Sequence, residues 1–148
     1  MNCDTVLKCL AACGLDCSRC AEYKEGEIKH HAAKLLELLG NYSRMVPIKA
    51  TQHQEFNHYQ EFVQILQCFS TAGCSGCRSN ECLCPVNCEV KTCRKEIGVD
   101  YCFQCSKYPC NQTFPTGSLR ERWLKNNNRM KDIGPVEFYK EQLKLPRY

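Results

Sequence analysis

The 148-residue sequence predicts a mainly α-helical chain with irregular cysteine-rich loops, folded as a small, metal-stabilised, zinc-knuckle-like single domain. Three observations lead there. Apolar residues recur at helical spacing in four separate stretches. Fifteen residues are cysteine, a density found in chains held together by disulfides or metals. With the cysteines set aside, about a third of the chain is hydrophobic, a thin core for this length.

Residues 1–20 form an N-terminal cysteine knuckle, Cys13-Gly-Leu-Asp-Cys17-Ser-Arg-Cys20, with Cys3 and Cys9 upstream. Residues 24–70 predict a helical pair. Glu25 to Leu39 carries Ile28, Ala32, Leu35, Leu36 and Leu39 at helical spacing and is closed by Gly40. Gln54 to Phe69 sets Phe56, Tyr59, Val63 and Leu66 on one face, with Phe62 and Ile65 beside them. Each face needs a partner, and packing on one another gains about 1.5–3 kcal/mol per large side chain. From 73 to 110 the helical period vanishes and cysteines arrive every few residues among the turn formers Ser75-Gly76, Pro85 and Pro109. That region predicts loops shaped by something other than apolar packing. Residues 118–145 predict C-terminal helices beyond Pro115-Thr116-Gly117. Ser118 with Glu121 reads as a capping box, followed by Leu119, Trp123 and Met130 on one side. Gly134-Pro135 breaks that helix and starts the last one, with Val136, Phe138, Tyr139 and Leu143 as its apolar positions and Pro146 as its stop.

Three features argue against a disulfide framework. The cysteine count is odd. Met1-Asn2-Cys3-Asp4 leads into a short apolar stretch interrupted by Lys8, which does not read as a signal peptide. No stretch approaches the roughly 20 apolar residues of a membrane span. The expectation is a soluble, cytoplasmic chain, in whose reducing surroundings closely spaced cysteines are metal ligands or redox thiols. The net charge of +4 resides in residues 118–148, where 8 Lys/Arg face 4 Asp/Glu. A divalent ion on four thiolates adds negative charge, because the ligands deprotonate. Bulk basicity is therefore no argument for a phosphate partner.

Cys74-Ser-Gly-Cys77 and Cys102-Phe-Gln-Cys105 are two CxxC knuckles separated by 24 residues. Two residues between thiolates let a tight turn aim both sulfurs at one tetrahedral ion, and two such turns complete four ligands. The gap itself carries Cys82, Cys84, Cys88 and Cys93, and Cys110 lies just beyond. Nine thiols within 37 residues exceed what one ion takes. Cys13, Cys17 and Cys20 take a fourth ligand from this region, for two or three zinc ions in all. Spacing does not say which sulfur joins which site. Zinc is favoured because each site contributes on the order of 10 kcal/mol of folding free energy. An iron-sulfur redox or sensor centre on the same thiols is the alternative.

Cys13, Cys17 and Cys20 also have the C-x3-C-x2-C spacing of radical S-adenosylmethionine enzymes. That likeness covers eight residues, and the chain lacks both the length and the alternating strand and helix pattern of a (β/α) barrel. His30-His31 and the pair His53 and His58 present no shared face for a metal. Trp123 sits on an apolar stripe and reads as core. Arg122, Lys125 and Arg129 line the opposite face, giving a second alternative, a nucleic-acid-binding zinc module; a solvated helix face is the preferred reading. Cys3, Cys9, Cys68 and Cys82 fall outside the tidy spacings and suit packing, accessory ligation or a reactive thiol. The G-x-S-x-G, P-loop, G-x-G-x-x-G and H-E-x-x-H motifs are all missing, so no enzyme class is expected. The expected function is a binding or adaptor module with exposed loops as its recognition surface. The sequence does not identify its partner; the expectation is another protein rather than nucleic acid or a membrane.

Ala12-Cys13-Gly14-Leu15-Asp16-Cys17-Ser18-Arg19-Cys20, Cys74-x-Gly76-Cys77, Cys88-Glu-Val-Lys-Thr-Cys93 and Gly98-Val99-x-x-Cys102-x-x-Cys105-x-x-Tyr108-Pro109-Cys110 follow one another in order. So do Arg122-Trp123, Asn128-Arg129, Ile133-Gly134 and Pro146-Arg147-Tyr148. This series resembles the cysteine-rich bacterial and archaeal family called domain of unknown function 3795. The resemblance implies a shared thiolate scaffold that binds metal, and it implies no activity. Cys84 departs from the family pattern by one residue in its spacing to Cys88, and Cys3, Cys9, Cys68 and Cys82 lie outside that pattern.

Overall fold

A computed structural model describes residues 2–84, 86, 88–111 and 117–148; the turn residues Pro85, Pro115 and Thr116 lie outside them. The described residues form seven α-helices: α1 (Cys3–Cys9), α2 (Glu27–Leu39), α3 (Val46–Ala50), α4 (Tyr59–Ser70), α5 (Val90–Ile97), α6 (Ser118–Ile133) and α7 (Pro135–Leu143). Extended pairing among these residues is limited to one antiparallel bridge between Leu10 and Asp16. The protein is mainly helical. The chain divides into two compact units, residues 1–20 with 74–148, and residues 21–73. The helical pair read from the sequence at 24–70 lies within the second of these units. No described helix is long and apolar enough to cross a membrane.

In the unit 21–73, α2 packs against α4, as their apolar faces require. Gly40 closes α2 with φ +46°, and a 3-10 turn, Gln54–His58, leads into α4. Lys29 Nζ donates to the Ala72 carbonyl at 2.8 Å. The seam is thin: Ala32 and Leu66 are buried, whereas Phe62 and Ile65 lie exposed. Thirteen- and twelve-residue helices meeting along one seam can cover only a narrow stripe of each.

The other unit holds the main core. Val6, Leu10, Tyr101, Met130, Phe138 and Tyr139 pack together where α7 lies on α1 and α6. Helix α1 was not expected. Asn2 starts it by accepting the Thr5 N–H at 2.9 Å, and its seven residues are too few to show a full apolar period. Helix α5 corrects the expectation of loops throughout 73–110. Val90 is its buried residue and Gly98, at φ +74°, caps its end; part of its inward stripe is cysteine, which the sequence reading assigned to ligation rather than packing. The capping box at Ser118 does not form. Gly117 occupies the N-cap position, no side chain caps it, and Ser118 is the first helical residue. Along α6 the buried stripe is Trp123, Asn126, Asn127 and Met130, while Leu119 is exposed.

Candidate metal centre

The N-terminal knuckle is a tight loop built by its own backbone. Ala11 N–H donates to the Leu15 carbonyl and Cys17 N–H to the Cys9 carbonyl, at 2.9 and 2.8 Å, so Cys13 and Cys17 project from one small turn. Gly14 sits in that turn at φ +83°. A Cβ there would stand 2.7 Å from Asn126 Cβ, so only glycine lets α6 come this close. Asn126 Nδ2 donates to the Gly14 carbonyl at 2.9 Å and Asn127 Nδ2 to the Cys13 carbonyl at 3.0 Å. The Asn127 Oδ1 accepts the Phe103 N–H at 3.0 Å, and the Cys102 N–H donates to the Ala12 carbonyl at 3.0 Å. Two buried asparagines therefore join the knuckle, the Cys102–Cys105 turn and α6.

Buried Asp16 braces the loop from its other side. Its carboxylate accepts from the Ser18 backbone and hydroxyl and from Arg19 Nε. Arg19 reaches on to the Gln142 and Leu145 carbonyls at the end of α7, and Arg147 Nε donates to the Asp16 carbonyl. Arg78, one residue past Cys77, donates to the Leu10 and Asp100 carbonyls at 2.8 and 2.7 Å. It thereby fastens the second knuckle to the first.

The sulfurs gather in two groups. Cys93, Cys102, Cys105 and Cys110 line one small cavity of about 20 Å³, walled by Val90, Arg94, Tyr108 and Trp123. Burial pushes the Cys102 thiol up to about 11 against a lowering contribution from the Trp123 indole, and burial likewise raises Cys93. The other group contains Cys13, Cys77 and Cys88 around a cavity of about 10 Å³, with Cys17 and Cys82 next to Cys77 and Cys74 next to Cys82. Burial holds Cys13 well above the usual thiol range. The hydrogen bond from Cys77 brings Cys17 down to about 7, and the same shared proton holds Cys77 far up. Arg94 lines both cavities, and its buried Nε has no hydrogen-bond partner among the described residues.

One local motif recurs. The N–H two residues on donates to the sulfur at Cys13, Cys74, Cys82, Cys88 and Cys105, measured at 3.4 Å for both Gly76 to Cys74 and Lys107 to Cys105. Such a turn stabilises charge on sulfur, because an N–H dipole favours the thiolate. It is a polar scaffold aimed at sulfur and matches the chemistry of an all-thiolate donor set.

The two CxxC knuckles do not face one another: Cys102 and Cys105 group with Cys93 and Cys110, whereas Cys74 and Cys77 adjoin Cys17 and Cys82. Cys84 is a neighbour of Cys88. Cys20 diverges from Cys13 and Cys17, its sulfur accepting the Tyr148 hydroxyl at 3.6 Å. Among the described residues, no group of three or more Cys, His, Asp or Glu side chains stands ready to hold a metal ion. The thiols are neighbours without forming a closed coordination shell. Arg122, Lys125 and Arg129 line an open groove of about 740 Å³, where Arg129 is bound by the Glu141 carboxylate. The four histidines are exposed. Asp16, Arg78, Arg94, Asn126 and Asn127 were missed by sequence reasoning. Only Asp16 carried a signal, its place inside the Cys13–Cys20 motif.

Fold and site together define a mainly helical protein whose loops converge on clustered thiols. The chain belongs to the family described as "Protein of unknown function (DUF3795)", whose model matches residues 9–115. No curated protein and no solved structure matches it.

Proposed function

We propose that this protein is a cysteine-rich zinc-binding module in which structural zinc fixes the loops between Cys74 and Cys110, and that it serves as a protein-binding adaptor. The observation that carries the reading is the convergence of Cys93, Cys102, Cys105 and Cys110 on one small cavity. These four residues would hold the ion. Zinc bound to four thiolates supplies folding free energy, on the order of 10 kcal/mol per site, to a region with few buried apolar side chains. The donor set is all sulfur, which suits a soft tetrahedral site. Arg94, walling the cavity, offsets the negative charge that the thiolates bring. The adaptor role draws support from the unit 21–73, where Leu38, Ile48 and Ile65 are 71 %, 60 % and 55 % exposed.

The test is elemental analysis with an absorption spectrum on protein purified without oxygen and without added metal. Two or three zinc per chain and no visible band are expected, with one zinc fewer in Cys105→Ser. Iron with acid-labile sulfide and a brown colour would replace zinc by an iron-sulfur centre. A chain carrying neither metal would end the metal reading.

A further inference from the structure

Cys82 fits none of the regular cysteine spacings, yet it stands at the middle of a chain of sulfurs. Its Sγ lies 3.7 Å from the Cys77 Sγ. Cys74 is close enough to Cys82, and Cys17 to Cys77, for each thiol to act on the charge of the other. A tetrahedral ion with metal–sulfur bonds of about 2.3 Å separates its ligands by about 3.8 Å, so the Cys77–Cys82 spacing is already that of one tetrahedral edge. We infer that Cys17, Cys74, Cys77 and Cys82 form a second four-thiolate site for a divalent cation of the zinc class, with Cys82 rather than Cys84 as its fourth ligand.

Four further features support this site. Backbone donors surround it: Gly76 and Leu83 N–H donate to Cys74 at 3.4 and 3.3 Å, Cys84 N–H to Cys82 and Cys77 N–H to Cys17. Cations flank it as well, Lys91 beside Cys82 and Arg147 near Cys17, which suits an assembly that becomes anionic once four thiols deprotonate. The Arg78 side chain ties the Cys74–Cys77 turn to the Leu10 carbonyl, at the base of the loop bearing Cys17. The fourth feature is the place of Cys84, whose backbone N–H donates to the Cys82 sulfur.

This inference rests on the zinc reading, and its test separates the two. The full-length wild type, zinc-loaded as purified, is compared with Cys82→Ser, Cys84→Ser and Cys82→His by zinc content per chain. Cys82→Ser is expected to lose one zinc, Cys84→Ser to keep the full complement, and Cys82→His to restore it, because imidazole is an equally good zinc ligand. A measurement needing no variant is alkylation of the wild type by iodoacetamide, mapped by mass spectrometry. Cys82 should react at least ~10-fold faster after chelation than before, since a metal-bound thiolate is shielded from the reagent. Full zinc in Cys82→Ser, or equal alkylation of Cys82 with and without metal, overturns this site and leaves the Cys93–Cys110 centre standing. A wild type that holds no zinc overturns both.

Discussion

Asn127 is fully buried, and replacing it by alanine tests whether α6 clamps the thiol-bearing loops. Its amide donates to the Cys13 carbonyl at 3.0 Å and to the Trp123 carbonyl at 3.1 Å, and its Oδ1 accepts the Phe103 N–H at 3.0 Å. Trp123 O lies within α6 and can keep an intrahelical bond after the substitution, so the groups that lose a partner are the Cys13 carbonyl and the Phe103 N–H. Each unsatisfied buried group costs about 1–3 kcal/mol, which sets the expected loss at about 2–6 kcal/mol. That is a large fraction of the roughly 5–15 kcal/mol available to an ordinary domain. At the midpoint of that range the melting temperature falls by roughly 8–16 °C for a chain of this size. The assay is urea unfolding of the reduced, full-length protein at fixed metal content, followed by the fluorescence of Trp123, with exposed Lys125→Ala as a control within about 0.5 kcal/mol of wild type. Asn127→Asp adds a sign. Its oxygen still accepts from Phe103, but an ionised carboxylate faces the Cys13 carbonyl, and burial raises its pKa. Its deficit should therefore shrink as pH falls and the protonated acid regains a donor. An Asn127→Ala loss below about 1 kcal/mol, or an Asp variant whose deficit is flat in pH, would refute the clamp.

Gly14→Ala should cost about 2–5 kcal/mol, combining the left-handed backbone with a Cβ only 2.7 Å from Asn126 Cβ and 2.9 Å from Met130 Cε. Gly98→Ala, with the same handedness at φ +74° and open space around it, should cost about 1–2 kcal/mol. Equal losses in the two variants by denaturant melts would remove the close approach of α6 as a cause. In the metal-free, reduced chain, Cys17 ionises near 7 rather than at the ordinary 9.0, so its stabilising contribution is present above 9 and lost as pH falls through 7. Cys13 and Cys102 are pushed the other way by burial, so the unfolded chain ionises them first and stability declines above pH 9. Melting temperature against pH should pass through a maximum between these limits, and a steady rise to about pH 10 would contradict it.

Much of the helical architecture was written in periodicity. Gly40 and Gly134-Pro135 marked boundaries that the structure keeps, because backbone conformation at those positions leaves few options. Helix α5 was hidden by composition: cysteine at an inward position reads as ligand, and a stripe made partly of sulfur leaves no ordinary apolar period. The capping box failed because a motif of two residues three apart says nothing about the residue ahead of it, here Gly117. At the candidate site, cysteine density drew attention to residues 73–110, but which sulfurs lie together did not follow from spacing. The fold carries Cys93 on α5 and sets Cys102 in, and Cys105 just after, a short 3-10 turn, and such placements depend on contacts far apart in sequence. Asn126 and Asn127 look like solvated residues in a polar run; only the loop bearing Gly14 makes them buried partners.

The position of the helical unit 21–73 within the chain has a consequence for synthesis. Cys17 and Cys77, whose thiols are neighbours in the fold, are separated by the whole of that unit. At translation rates of about 5–20 residues per second, roughly 3–12 s pass between the emergence of the first sulfur and that of the second. Through that interval the α2–α4 pair can form from local contacts, while the N-terminal thiols stand without their neighbours. Residues 21–73 thus act as a delay line: the cysteines before them are made seconds ahead of the sulfurs they end up beside.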